Sequence, residues 1–136
     1  QRDDAMRINN IKSPVMLESN LANINKVSEW IDSRRARGGT DPSDSLKSAF
    51  THEPTELFLL TDGEFRVRKD EPSVRALIQS LNANKATKIN TLAIGDPLRG
   101  TTTEAMLMII AQENGGTYTF IDPTSLKSPS KPASNP

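Results

Sequence analysis

Apolar residues at Leu21, Ile24, Val27, Trp30 and Ile31 recur at helical spacing, so the segment from Leu21 to Arg37 reads as an amphipathic helix with Trp30 in its packing stripe. Ser19 or Asn20 can cap its start, and Gly38-Gly39 supplies the stop. Thr40-Asp41-Pro42-Ser43-Asp44 then opens a second helix. Asp41 can cap it, Pro42 suits the first helical position, and Asp44 falls where the helix dipole favours an acid. Leu46, Ala49 and Phe50 make one face of that helix, which ends before Pro54. Glu56-Leu57-Phe58-Leu59-Leu60-Thr61 is a short, nearly all-apolar run that stops at Asp62-Gly63; it predicts a strand buried on both faces. Val74, Leu77, Ile78 and Leu81 predict a third helix, and Ile89 to Ile94 a second buried strand ended by Gly95-Asp96-Pro97. Thr101 and Glu104 have capping-box spacing before the apolar run from Ala105 to Ala111, and Asn114-Gly115-Gly116 closes that helix. In this run Met106 and Met108 read as core filler or helix surface. Thr117 to Ile121 is the last strand, and Ala5-Met6-Arg7-Ile8 reads as a short edge strand.

This order implies an α/β fold: a doubly wound, mostly parallel sheet with right-handed crossovers and helices on both faces. The domain is expected over residues 1–122. Residues 123–136 are rich in Pro, Ser and Lys, too polar to offset their ordering entropy, and read as a disordered tail or linker. At 136 residues the chain is one domain's worth, enough to bury roughly two-thirds of its unfolded surface. It opens at Gln1 and not at Met, which reads as a processed or excised piece of a longer protein.

Composition narrows the function. Seventeen basic residues balance 17 acidic ones without a stripe of either sign, and aromatics make up 4%, which argues against a nucleic-acid or membrane surface. The absence of cysteine removes disulfides and thiolate metal sites.

Chain direction alone brings five polar residues to one rim. The second helix runs antiparallel to the strand it feeds, so Thr40 and Asp41 start at the edge where Asp62 and Glu64 follow that strand. The next strand ends there with Asp96. A hydroxyl with several carboxylates is an all-oxygen set of the kind that suits Mg²⁺, Mn²⁺ or Ca²⁺. Asp41 has the plainer reading of a helix cap, and Glu64 and Asp96 that of solvated loop residues. Asp62 stands apart: an acid after four apolar strand residues is expected at a desolvated sheet end, where it needs a partner.

Gly38-Gly39-Thr40 before a helix, and Leu59-Leu60-Thr61-Asp62-Gly63 ending a strand, resemble the second and third motifs of the metal-ion-dependent adhesion site of von Willebrand factor A-type domains. The stretch from Ile109 to Tyr118, with Asn114-Gly115-Gly116 at its centre, is similar to that family's last helix and strand, and Ile89 to Asp96 to its penultimate strand. The resemblance covers residues 21–122. It implies a Rossmann-like fold truncated at its N-terminus, with Thr40 and Asp62 as metal ligands for Mg²⁺ (or Mn²⁺ or Ca²⁺) and a protein partner that presents an acidic side chain. The family's first strand and its Asp-x-Ser-x-Ser motif are missing; Asp41-Pro42-Ser43-Asp44-Ser45 sits at a helix start and does not replace them. A central strand is then lacking, which exposes an edge on residues 57–60 and favours self-association.

Three functions compete at this point. The first is a non-enzymatic protein-interaction module with a partial metal site. The second is an α/β hydrolase or phosphoryl-transfer fragment using Asp62. Against that stand the lack of a glycine-rich phosphate loop and of a Gly-x-Ser-x-Gly elbow, with Glu64 where a second aspartate would be needed. The lone histidine, His52, reads as a solvent-exposed loop residue. The third is a metal-independent structural interaction domain.

Overall fold

The computed structural model describes residues 16–35, 41–62, 64–95 and 99–125. The edge strand expected at residues 5–8, the Gly38-Gly39 stop and residues 126–136 of the expected tail lie outside them.

Among the described residues seven elements follow in the expected order: α1 (Leu21–Asp32), α2 (Ser43–Phe50), β1 (Glu56–Thr61), α3 (Val74–Leu81), β2 (Lys88–Ile94), α4 (Thr102–Glu113) and β3 (Tyr118–Ile121). Each helix but α2 starts at a residue whose side chain takes a free amide of its first turn. Asn20 accepts from Asn23 in α1, Ser73 from Ala76 in α3, and Thr101 from Glu104 in α4. Helix α1 ends at Asp32, five residues short of the expected Arg37, and the Ser33 hydroxyl donates to the Trp30 carbonyl.

The strands form one parallel sheet in the order β1-β2-β3. Leu59 pairs with Thr91 and Thr61 with Ala93, while Thr91 pairs with Tyr118 and Ala93 with Phe120. One face therefore carries Leu59, Ile89, Thr91, Ala93 and Tyr118. Here lies the core, where Leu46 of α2, Val74, Leu77 and Ile78 of α3, and Leu107 and Ile110 of α4 join Leu59, Ile89 and Ala93. Thr91 donates its hydroxyl to the Leu107 carbonyl at 2.8 Å, which satisfies a polar group in an otherwise apolar layer.

The other face differs from expectation. Phe58 and Leu60 are 65% and 55% exposed, so β1 is not buried on both sides. The physical reason is position: among the described residues β1 is at the edge of the sheet, and α2, α3 and α4 all pack on the Leu59 side. Helix α1 contributes no residue to the core; its Leu21, Ile24 and Ile31 are exposed, and Trp30 is half-buried under the Arg34 guanidinium. Met106 packs against the core and Met108 lies on the helix surface.

Buried amides lock the amino-terminal end of the sheet. Asn82 donates to the Thr87 carbonyl at 2.7 Å and to Asn114 Oδ1 at 2.8 Å, and accepts from the Thr87 amide at 3.0 Å. Asn114 in turn donates to the Ile110 carbonyl. On the open face Asn90 of β2 ties β1 to the residue that leads into β3, donating to Glu56 and accepting from the amide and hydroxyl of Thr117.

The two glycines after α4 serve different needs. Gly115 sits at φ +66°, where a side chain is strained. Gly116 passes so close to β2 that a Cβ would stand 1.8 Å from the Ile89 carbonyl oxygen. Gly116→Ala must therefore push β3 off β2. The expected loss is at least about 2 kcal/mol, read as a lower urea midpoint, whereas Gly100→Ala, with open space around its Cβ position, should cost less.

Candidate functional site

All three strands run in one direction, so Thr61, Ile94 and Ile121 end at one edge, where the Gly95 amide donates to the Ile121 carbonyl at 3.0 Å. Helix α2 ends at the opposite edge, near Pro54 and Thr55, which contact Thr87 and Lys88. Its start therefore lies at the rim, together with the start of α4. This is where open α/β sheets take their ligands.

On the β1 side, Asp41 Oδ1 accepts the Ser43 amide at 3.0 Å and the Ser43 hydroxyl at 2.6 Å. Those bonds, with a further backbone bond and the positive charge of Arg68, hold the Asp41 carboxyl below the usual carboxylate range. Asp41, one residue ahead of the Pro42 cap position, thus takes the first amide of α2 and draws the loop after β1 against it. Glu71 fastens the same loop a second time, pairing with Lys47 of α2 and with Arg68 at 3.3 Å each. Asp62 follows β1 directly and is exposed, as is Glu64. The expectation of a desolvated carboxylate at Asp62 is corrected, because among the described residues the strand it ends is at the sheet's edge. Thr40 and Asp96, the other two expected rim residues, lie outside the described residues.

The β3 side of the rim holds a cluster that sequence reading did not find. Glu104, read as the return half of a capping box, instead turns its carboxylate to the Gly100 amide and to the Tyr118 hydroxyl, each at 2.6 Å. The Arg99 guanidinium lies 4.1 Å over the Phe120 ring, and its charge reaches Glu104 and Asp122. Asp122 accepts the amide and hydroxyl of Thr124. The only advance signal was an acid in the first turn of α4; its partner enters from a strand 14 residues later.

Among the described residues no three acidic or histidine side chains converge as metal ligands. Among the described residues the Asp62 carboxylate has no partner, while the Asp41 oxygen is engaged by Ser43. This donor set does not by itself fit a divalent cation, which needs several oxygens at once. His52, expected at the surface, is half-buried at the end of α2, with Nε2 enclosed and unpartnered.

The sheet order, the helix starts at the rim and the exposed acid after β1 define an open α/β domain with its ligand edge at the strand ends. The chain belongs to the von Willebrand factor type A domain family, whose model matches residues 12–120. It is also similar to the uncharacterized protein YfbK of Escherichia coli (strain K12), with 29% identity over 124 residues. That match takes in 85% of this chain and 20% of the relative, so the chain spans about a fifth of the length of the protein it resembles.

Tyr118 allows a direct test of the Glu104 cluster, because the chain has a single tyrosine. Burial first, then the hydrogen bond and negative charge of Glu104, push its pKa up to about 12. The tyrosinate absorbance should therefore rise near pH 12, well above the ordinary value of about 10, and Glu104→Gln should bring the midpoint down. Since the folded value is raised, stability from Tyr118 is full below pH 10 and fades as pH climbs through 12. Glu104 has the opposite sign. Its carboxyl is lowered by the Tyr118 bond, so its contribution holds above its unfolded value and is lost as pH falls through the folded one. A wild-type tyrosine that titrates near 10 would show the cluster is not formed in solution.

Proposed function

We propose that this chain is a non-enzymatic protein-interaction module that meets its partner at the rim where the strands end. The observation that supports it is the exposed Asp62 after β1, at the edge where Asp41 and Arg68 clasp the neighbouring loop. Family membership supports the interaction role, since von Willebrand factor type A domains generally bind other proteins.

In this reading Thr40 and Asp62 are the chain's share of an Mg²⁺ site, which Mn²⁺ or Ca²⁺ can also enter, and the partner supplies an acidic side chain to the open coordination position. Asp41 remains a structural cap. With so few donors, the chain alone is expected to hold a cation weakly.

A ¹H–¹⁵N amide spectrum titrated with Mn²⁺ tests the cation. Selective broadening at Asp62 and its neighbours, abolished by Asp62→Ala with the fold intact, is the expected result. Broadening that survives the substitution would remove Asp62 from the site. Enzymatic chemistry has a separate check: no turnover of a generic phosphate ester is expected, and turnover lost in Asp62→Ala would replace the interaction reading.

A further inference from the structure

The turn that closes α4 carries the chain's single Asn-Gly step, Asn114-Gly115. An asparagine before glycine is open to attack by its own backbone. With no Cβ on the next residue, the following amide nitrogen can reach the side-chain carbonyl carbon and close a succinimide ring. The step lies at the amino-terminal edge of the sheet, at the far end of α4 from the rim.

The native turn opposes that ring closure in three ways. Asn114 is 5% exposed, so water and base have little access to it. Both ends of its side-chain amide are held. Nδ2 donates to the Ile110 carbonyl at 2.7 Å, while Oδ1 accepts from Asn82 Nδ2 at 2.8 Å and from Lys85 Nζ at 3.3 Å. Asn82 is itself fixed by the Thr87 amide and carbonyl, so it cannot swing away. The backbone is also set against the reaction. Closure needs a negative ψ that carries the Gly115 nitrogen to the side of the Asn114 Cβ. Here ψ stands at +22°, and the Gly115 amide donates to the Gln112 carbonyl at 3.4 Å.

We propose that Asn114-Gly115 is a site of spontaneous deamidation, shut in the folded chain by Asn82 and opened when the turn after α4 loosens. The Gly115 nitrogen gives up its proton and bonds to Asn114 Cγ. The Cγ–Nδ2 bond then breaks, and the nitrogen takes up a proton and leaves as ammonia. Water opens the succinimide at either carbonyl, which yields aspartate or isoaspartate.

Neither product fits the native turn. Aspartate places an acceptor oxygen where Nδ2 donated to the Ile110 carbonyl, and an unmet acceptor in a buried place is costly. Isoaspartate moves Cβ into the main chain and lengthens the path into Gly116. There is no slack at that glycine, where a Cβ would stand 1.8 Å from the Ile89 carbonyl oxygen. The modification therefore keeps open the turn whose opening allowed it, and a passing loosening of the connection from α4 to β3 becomes permanent.

Mass spectrometry of the tryptic peptide of residues 100–127, in which Asn114 is the only asparagine, reads the reaction directly. The mass gain of amide-to-acid conversion should appear at least tenfold faster in the guanidinium-unfolded chain than in the folded chain at the same pH. Gly115→Ala, compared in guanidinium where folding plays no part, should suppress it. In the folded state Asn82→Asp keeps an acceptor for the Thr87 amide and loses the donor to Asn114, so it should speed the reaction at least tenfold. Where that variant does not fold, Lys85→Ala, which removes the other donor, takes its place. Equal rates in folded and unfolded wild-type chain overturn the proposal. So does an unfolded chain that keeps Asn114 intact, and so does a folded variant that reacts no faster than wild type.

Discussion

The fold depends on the flush contact between one face of β2 and helix α4. Ile89, Thr91 and Ala93 are fully buried there, under Leu107 and Ile110, and the one polar group among them is satisfied by the Leu107 carbonyl. Parallel strands cannot be joined by a tight turn, so each must be followed by a crossover that packs back on the sheet. With β2 in the middle, α3 brings the chain in from β1 and α4 carries it on to β3. Close packing at Gly116, where the chain returns over Ile89, sets how near β3 can come. Everything at the rim inherits its position from this contact.

Much of this was legible in the sequence because it is local. Helix faces such as Val74, Leu77, Ile78 and Leu81 repeat at a spacing that only a helix can bury, and α3 has the bounds that spacing predicts. Strand direction followed from element order, which put Asp62 and the start of α2 on one edge without any coordinates. What stayed hidden depends on neighbours that no local pattern names. The run Glu56 to Thr61 reads the same for a central strand as for an edge, yet Phe58 and Leu60 are exposed because one side of β1 has no covering layer among the described residues. Glu104 had the right spacing for a capping box, but Tyr118 and Gly100 claim its carboxylate through tertiary structure. Asp62 lies at the rim that chain direction implies, but it is exposed where burial was expected, for the same reason. Thr40 lies outside the described residues, so its placement rests on the family resemblance.

The charges at the rim also bear on which partner it can take. A helix start is an attractive place for an acidic group, because free amides and the helix dipole both favour negative charge. Here two helices begin at the rim, and each is already answered by the chain's own acid: Asp41 takes the Ser43 amide at α2, and Glu104 sits in the first turn of α4. Arg68 and Arg99, the nearby cations, are likewise drawn to Asp41 and Glu71 on one side and to Glu104 and Asp122 on the other. An incoming carboxylate thus meets the exposed Asp62 where both helix starts and these two arginines are already engaged. Two carboxylates at contact distance repel, and neither the helix ends nor Arg68 and Arg99 are free to offset that. A divalent cation between them would turn the repulsion into a bridge, which is why an acidic partner and a metal belong to the same proposal and why neither is expected to bind strongly alone.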